Sequence, residues 1–375
     1  MSADTPDPAP SRPRARTSTD ANARTRTRTS TRTRTRAARR AAVAVALAVL
    51  SSNAVAAGAG AADAHWATSP TGRGHSASGS ADVAYAGSLE YLNEKVVGPA
   101  FSRATGYAYL GRGAGSDALS QEIASGEIAP DVFEAVGSAP ITALEPKFTR
   151  WYVQFAASPL VVAYDPAGHF GRELSAIAAG RRPIRDLFTL MATPGFALGR
   201  TDPNLDPQGA AFVEMVELAQ AAFHLPAGTA HAILGRGALG GSSSPEIFDE
   251  TALEPRLEAG QLDASSAFLS QAVQLHLHYV RLPAIIDLGD PSDAASYARA
   301  TVRLRDGTVA HGTPLVVDIT TIGSTDMAAA DAFVSYVLST PGLDAYRAGG
   351  YTLLRPTLVG ARAGVPPSVL GELAP

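Results

Sequence analysis

Between Asp82 and Val136 the chain alternates apolar runs of strand length with segments of helical period, and this alternation restricts the fold more than any other feature. Asp82-Val-Ala-Tyr-Ala86 reads as a strand. Leu89 to Thr105 has helical period, with Leu92, Val96, Val97 and Phe101 apolar. Tyr107 to Leu110 reads as a second strand, Asp117 to Ser125 as a second helix, and Asp131 to Val136 as a third strand. Ser88 and Ser116 each stand where a helix N-cap belongs. A β-α-β-α-β order is the mark of a doubly wound sheet, so the expected class is α/β with a mostly parallel sheet flanked by helices.

The pattern continues with two strand-like runs around a proline, Trp151 to Phe155 and Leu160 to Tyr164, followed by helices near 174–180 and 184–191 and a strand at Phe196 to Leu198. Next comes Gly199-Arg-Thr-Asp-Pro-Asn-Leu-Asp-Pro-Gln-Gly209, a loop whose prolines and asparagine favour turns. Gly209 is expected to open an amphipathic helix over 210–223 with Phe212, Met215, Val216 and Ala219 on one face. A helix is expected at 229–234, a Gly/Ser-rich turn from Gly235 to Pro245, a helical period from Glu250 to Gly260, and a buried strand and turn from Leu262 to Gln271. His276-Leu-His278-Tyr-Val280 alternates like a strand, which puts both histidines on one side; a solvated face accounts for them without a metal. Strands at Thr301 to Arg305 and Pro314 to Thr320, a helix from Ala328 to Ser339 and a last helix around Ala345 complete the body.

The two ends of the charge distribution differ. Residues 1–40 carry eleven arginines, no lysine and three acids, which leaves the other 335 residues with 20 basic and 32 acidic side chains. A body that acidic is a poor partner for nucleic acid. The Arg-Thr alternation of Arg24 to Arg36 offers nothing to bury and reads as disordered. It leads through Arg39-Arg40 into the apolar run Ala41 to Leu50, which is half of the roughly twenty residues a spanning helix needs. Ala54-Val-Ala56 and Ala62-Asp-Ala64 then fit an A-x-A cleavage pattern, so residues 1–57 read as a basic region plus an export signal and 58–81 as a flexible tether. The expected location is extracellular or at the cell envelope. With no cysteine in the sequence there are no disulfides, no thiol chemistry and no N-terminal lipid anchor through cysteine.

Three corners share one design: Gly87-Ser88, Gly115-Ser116 and Asp206 to Gly209 each follow a strand and open a helix. A helix start presents unpaired N–H groups and about half a positive charge, and in open α/β sheets ligands gather at the strands' carboxyl ends. Three neutral, donor-rich corners suit a small tetrahedral dianion. Asp206 in such a place is either a cap or a ligand for something more electrophilic than a simple anion. Gly111-x-Gly113-x-Gly115 does not have the spacing of a dinucleotide loop and follows the second strand, not the first. The chain contains neither G-x-S-x-G nor H-E-x-x-H, which weakens a secreted-hydrolase reading.

The segments Ala86-Gly-Ser-Leu89, Gly115-Ser116, Pro130-Asp-Val-Phe133, Phe155-Ala-Ala-Ser-Pro-Leu160, Asp202-Pro-Asn-x-Asp-Pro-x-Gly209, Glu250-Thr251 with Leu253 and Gly260, and Tyr279-Val-Arg-Leu-Pro283 occur in an order and spacing that resembles the archaeal-type molybdate/tungstate-binding proteins of ABC importers. The resemblance covers about Ala84 to Leu354. It implies a two-lobed, type II periplasmic-binding-protein-like fold with a hinge of two crossing segments, residues 82–157 and 286–375 forming the first lobe and 158–285 the second. It further implies a non-enzymatic, monomeric carrier that needs no cofactor, takes molybdate or tungstate as ligand, and hands it to a membrane permease. The binding residues it implies are Gly87, Ser88, Gly115, Ser116, Asp206, Gln208 and Gly209, with Asp206 coordinating the Mo or W centre. Two positions depart from the pattern. The family's second carboxylate, a glutamate seven residues beyond the glycine matched by Gly260, is here Ala267, and the loop's usual cysteine is Gln208. Octahedral coordination, tetrahedral binding and a sulfate- or phosphate-type ligand therefore all stay open. An adhesion or signalling role on the same fold is a further alternative.

Overall fold

A computed structural model describes residues 79–235, 246–323 and 326–373, so the expected export signal and nearly all of the tether lie outside the described residues. The strands are β1 Ser80–Ala86, β2 Ala108–Ala114, β3 Val132–Val136, β4 Trp151–Ala157, β5 Leu160–Tyr164, β6 Leu198–Gly199, β7 Ala264–Phe268, β8 His278–Arg281, β9 Thr301–Arg303, β10 Val309–His311, β11 Val316–Thr321 and β12 Thr352–Gly360. They form a six-stranded sheet in the order β12-β4-β11-β3-β1-β2, a four-stranded sheet in the order β6-β7-β5-β8, and the β9–β10 ribbon. The chain leaves the larger sheet at the end of β4, crosses at Ser158-Pro159, and enters the smaller one at β5.

The α/β class holds, but the sheets are mixed where mostly parallel ones were expected. β2 and β3 flank β1 in parallel register, while β11 runs antiparallel to both β3 and β4, and β12 antiparallel to β4. In the smaller sheet only β6–β7 is parallel. The parallel part is where strands alternate with crossover helices; the antiparallel part comes from strands that return late in the chain. β12 was not anticipated because its side chains are exposed or half-buried and Pro356 interrupts it. As an edge strand it tolerates that proline, and its register with β4 shifts between Leu353 and Thr357.

The expected helix from Leu89 to Thr105 is broken into a 3₁₀ turn Gly87–Leu89, a π turn Asn93–Val97 and the helix Gly98–Thr105. Pro99 cannot donate to the carbonyl one turn back, so the preceding turn widens. Gly106 ends the helix at φ 83°, a conformation glycine adopts without penalty. The helix after the 199–209 loop spans Pro207–Ala222, starting three residues earlier than expected and buried on most sides rather than one: Val213, Leu218 and Glu214 are inside along with Phe212, Met215, Val216 and Ala219. It is a central element, apolar nearly all round. Fully burying one such Phe or Leu contributes about 1.5–3 kcal/mol, so this helix and the Phe101, Phe155, Phe212 and Phe333 side chains anchor the core.

Glycines 111 and 113 were read as part of a loop, yet they lie inside β2, opposite Val83 and Tyr85. A Cβ at Gly111 would sit 2.0 Å from a Glu94 carboxylate oxygen and 2.4 Å from the Tyr109 hydroxyl; one at Gly113 would sit 2.7 Å from the Tyr85 ring. Their smallness makes room for a Tyr85–Glu94–Tyr109 cluster, in which both tyrosine hydroxyls donate to Glu94. No phosphate loop is formed there. His276 precedes β8 with φ 54°, and both it and His278 are exposed. Among the described residues no three His, Cys, Asp or Glu side chains gather as a metal site, and no helix is long and apolar enough to cross a membrane.

Candidate functional site

The two sheets meet along a cleft whose walls touch through backbone and side chain. Ala118 N donates to Leu205 O (2.9 Å), Gln121 Nε2 to Asn204 O (3.2 Å), Arg305 N to Asn204 Oδ1 (2.8 Å), and Arg305 pairs with the buried Asp202. On the other side Gln274 Nε2 donates to Gly349 O (2.8 Å). Two openings flank the contact. One, about 620 Å³, is walled by Gly87, Ser88, Glu254 and Gln271; the other, about 510 Å³, by Gly115, Thr201, Asp206, Glu250 and Thr251.

Asp206 is the N-cap of the helix Pro207–Ala222, in extended geometry (φ −150°, ψ 124°). Its Oδ1 accepts from Gln208 N at 2.9 Å, while Oδ2 is buried with no partner. Cap and ligand are therefore not exclusive, since one oxygen secures the helix and the other is free. Burial pushes the Asp206 carboxyl up to about 6, against the pull of the Gln208 N–H and of the Thr201 hydroxyl, which lies close by but short of hydrogen-bond geometry. Asp117, across the contact, is raised to about 7, by burial first and then by the Asp206 charge.

Ser88 lies in the 3₁₀ turn with no side-chain cap bond; the residue is 3% exposed and its hydroxyl is buried and unpartnered. Gly87 meets the opposite wall so closely that a Cβ would stand 2.6 Å from Glu250 Oε2. Gly115 is the N-cap of the helix Ser116–Ser125, and a Cβ there would stand 2.4 Å from Leu205 O and 3.0 Å from the Asp206 Cβ. Gly115 thus lets the walls close to backbone contact, and Gly87 leaves room for the Glu250 side chain.

The remaining expected residues stand behind the surface. Ser116 Oγ accepts from Val136 N at 3.2 Å, tying the helix start to β3, and Ser116 does not line either opening. Gln208 is fully buried: Ser266 donates to its Oε1 (2.6 Å), and its Nε2 donates to Gln271 Oε1 (3.1 Å), which also accepts from Phe268 N (2.8 Å). Gln271 Nε2 in turn donates to Glu254 Oε1 (2.8 Å). A cysteine could not bridge Ser266 and Gln271 in this way, so Gln208 supports the wall from beneath. Gly209 lets the first helical turn lie against the 201–203 backbone, a Cβ there being 2.5 Å from Thr201 O.

Sequence reading missed Glu250 as a site residue. It leads the turn Glu250–Ala252, is 3% exposed, and both of its carboxylate oxygens are unpartnered. Burial, then Asp206, then Glu254 raise its carboxyl well above the usual range, while Ser88, close by but short of hydrogen-bond geometry, draws it down. An acid opening an otherwise apolar-periodic segment was the available signal.

Comparison with known proteins adds the following. A family model described as bacterial extracellular solute-binding protein matches residues 81–352. A protein of Haloferax volcanii, provisionally named an ABC transporter molybdenum-binding protein, is 32% identical over 239 residues, spanning 64% of this chain and 72% of that one. The molybdate/tungstate-binding protein of Pyrococcus abyssi is 26% identical over 242 residues, spanning 60% of this chain and 68% of that one. The solved periplasmic molybdate-binding protein of Azotobacter vinelandii overlaps 73% of this chain and 99% of its own, at 15% identity and a TM-score of 0.48.

Proposed function

The chain belongs to the bacterial extracellular solute-binding protein family, and from that premise we propose that it is an exported carrier that captures molybdate or tungstate and delivers it to the permease of an ABC importer. The observation that carries the choice of ligand is Asp206 Oδ2, a buried carboxylate oxygen without a hydrogen-bond partner at a helix start. A helix start attracts an anion, and an uncommitted carboxylate at the same place repels one. Both demands are met by an oxyanion whose central atom accepts further oxygen ligands. Hexavalent Mo and W do so; S and P do not.

Ser88 and the backbone N–H groups of the Gly87 and Gly115 turns would hold the oxo groups, with Ser116, Gln208 and Gly209 keeping the walls in place. No step of catalysis is involved, and no cofactor besides the ligand. The names of the Haloferax and Pyrococcus relatives favour the same ligand class. Calorimetric titration with molybdate, tungstate, sulfate and phosphate tests the reading. Tight binding of the first two and at least tenfold weaker binding of the others is expected, and equal affinity for sulfate and tungstate would overturn it.

A further inference from the structure

A third cavity, of about 570 Å³, lies where the chain returns from the smaller sheet to β11 of the larger one, and none of Gly87, Ser88, Gly115, Asp206 or Glu250 lines it. Asp117 and Ser138 stand on one wall, Pro203, Pro207 and Glu214 on the other, and the returning segment from Thr313 to Val316 joins them. Its volume falls within the range of sites that enclose small organic molecules, roughly 300–1,000 Å³.

The polar groups inside are nearly all acceptors. Five of the lining residues are prolines, which have no N–H to donate, and among the described residues no lysine or arginine lines the cavity. Ser138 commits its hydroxyl hydrogen to Asp318 Oδ2 at 2.6 Å and accepts from Gln154 Nε2 at 3.1 Å. Behind it, Asp318 Oδ1 is buried without a partner. Glu214 is 4% exposed, lines the cavity and has no hydrogen bond from its carboxylate among the described residues. Its Oε2 faces the start of the returning segment, where a Cβ at Gly312 would stand 3.5 Å away. Burial first, then the Glu217 charge, raises the Glu214 carboxyl to about 8, and the other titratable groups on the cavity walls are Asp117 and His311.

This set of groups selects by chemistry. An anion finds no cation and few donors. A bare metal ion finds no group of three ligands, because the acids stand apart on separate elements. A neutral apolar molecule fills the volume but leaves the Glu214 carboxyl buried without a partner, which is unfavourable. A charged N–H donor on an apolar body meets both the walls and the carboxylate. We propose that the cavity is a second ligand site, for a small organic monocation whose primary ammonium is held by Glu214 and whose apolar part lies against the prolines. The site goes beyond the oxyanion reading and stands or falls without it. At neutral pH Glu214 holds a proton. As the cation enters, that proton passes to the buffer and the ammonium donates to the carboxylate, so the net charge in the cavity is unchanged. Since both walls contribute, the occupant bridges them.

Calorimetric titration of the full chain with 2-phenylethylammonium tests this, with 2-phenylethanol as a neutral control of nearly the same shape. The ammonium should bind with a dissociation constant of about 1 mM or tighter, and the alcohol at least about tenfold more weakly. Affinity for the ammonium should rise about tenfold from pH 6 to pH 7, and titrations in two buffers of different ionisation enthalpy should show about one proton released at pH 7. Glu214→Gln has the size of the protonated acid and should melt as the wild type does at pH 6, yet bind the ammonium at least about tenfold more weakly and lose most of the proton release. No ammonium binding at about 10 mM, equal affinity for the alcohol, or undiminished ammonium affinity in Glu214→Gln would each overturn the proposal, and the first two need no variant to fold.

Discussion

Gly115→Ala separates closure of the cleft from every other property of the protein. The backbone at 115 is at φ −56°, ψ 136°, where alanine is at ease, and replacing an N-cap glycine by alanine costs the helix about 1 kcal/mol. The added methyl carbon would lie 2.4 Å from Leu205 O, 3.0 Å from the Asp206 Cβ and 3.2 Å from the Leu205 carbonyl carbon. A carbon–oxygen contact relaxes at about 3.3 Å or more, so the walls must part by about 1 Å, and backbone cannot swing aside as a side chain would. Overpacking of one methyl costs about 1–3 kcal/mol, and here it falls only on the state in which the walls touch. The parting also stretches the Ala118–Leu205 hydrogen bond. Tungstate affinity should therefore fall by about 5- to 150-fold, while the thermal midpoint of the unliganded variant falls by no more than about 4 °C. Calorimetry and a thermal melt on the same preparation give both numbers. Undiminished affinity would show that binding does not need the Gly115–Leu205 approach, and the closed-cleft reasoning would be wrong.

Asp206→Asn keeps an oxygen for the Gln208 N–H cap but supplies no carboxylate to the ligand; we predict a near-normal melt with tungstate affinity reduced about 100-fold, and normal affinity would remove Asp206 from the site. Gln208→Ala leaves the Ser266 hydroxyl and the Gln271 amide short of a partner in the interior, with a predicted loss of about 1–3 kcal/mol in denaturant unfolding. The stability of the unliganded protein should fall as pH rises from 5 to 8. Glu134 is buried and raised by that burial to about 7 against the bonds from Tyr346 and Asn93, so between its unfolded value near 4.5 and about 7 the folded chain binds more protons than the unfolded one. That single group makes folding about 2–3 kcal/mol less favourable at pH 8 than at pH 5, and Asp318 (about 7) and Glu214 (about 8), also raised by burial, act in the same direction. Chemical unfolding at the two pH values checks the slope, and Glu134→Gln should flatten it; a slope of opposite sign would refute the assignment.

The amino-acid order alone determined what neighbours along the chain decide: the alternation of strands and helices from Asp82 to Val136, the turn chemistry of 199–209, and the placing of Ser88, Ser116 and Asp206 at helix starts. It also held the resemblance that named the ligand class. The tertiary structure decided what depends on partners far along the chain. Gly87 meets Glu250, and Gly115 meets Leu205, across separations no local pattern encodes. That is why Gln208, expected in the site, proved to be a strut beneath it, and why Glu250, passed over, stands inside it. Gly111 and Gly113 were misread for the same reason, because the tyrosine cluster that requires their smallness includes Tyr85, on the neighbouring strand. Periodicity fixes which face of an element is apolar. Which polar atoms are left unpartnered inside the cleft is fixed only when two walls, folded from distant stretches, come within a hydrogen bond of each other.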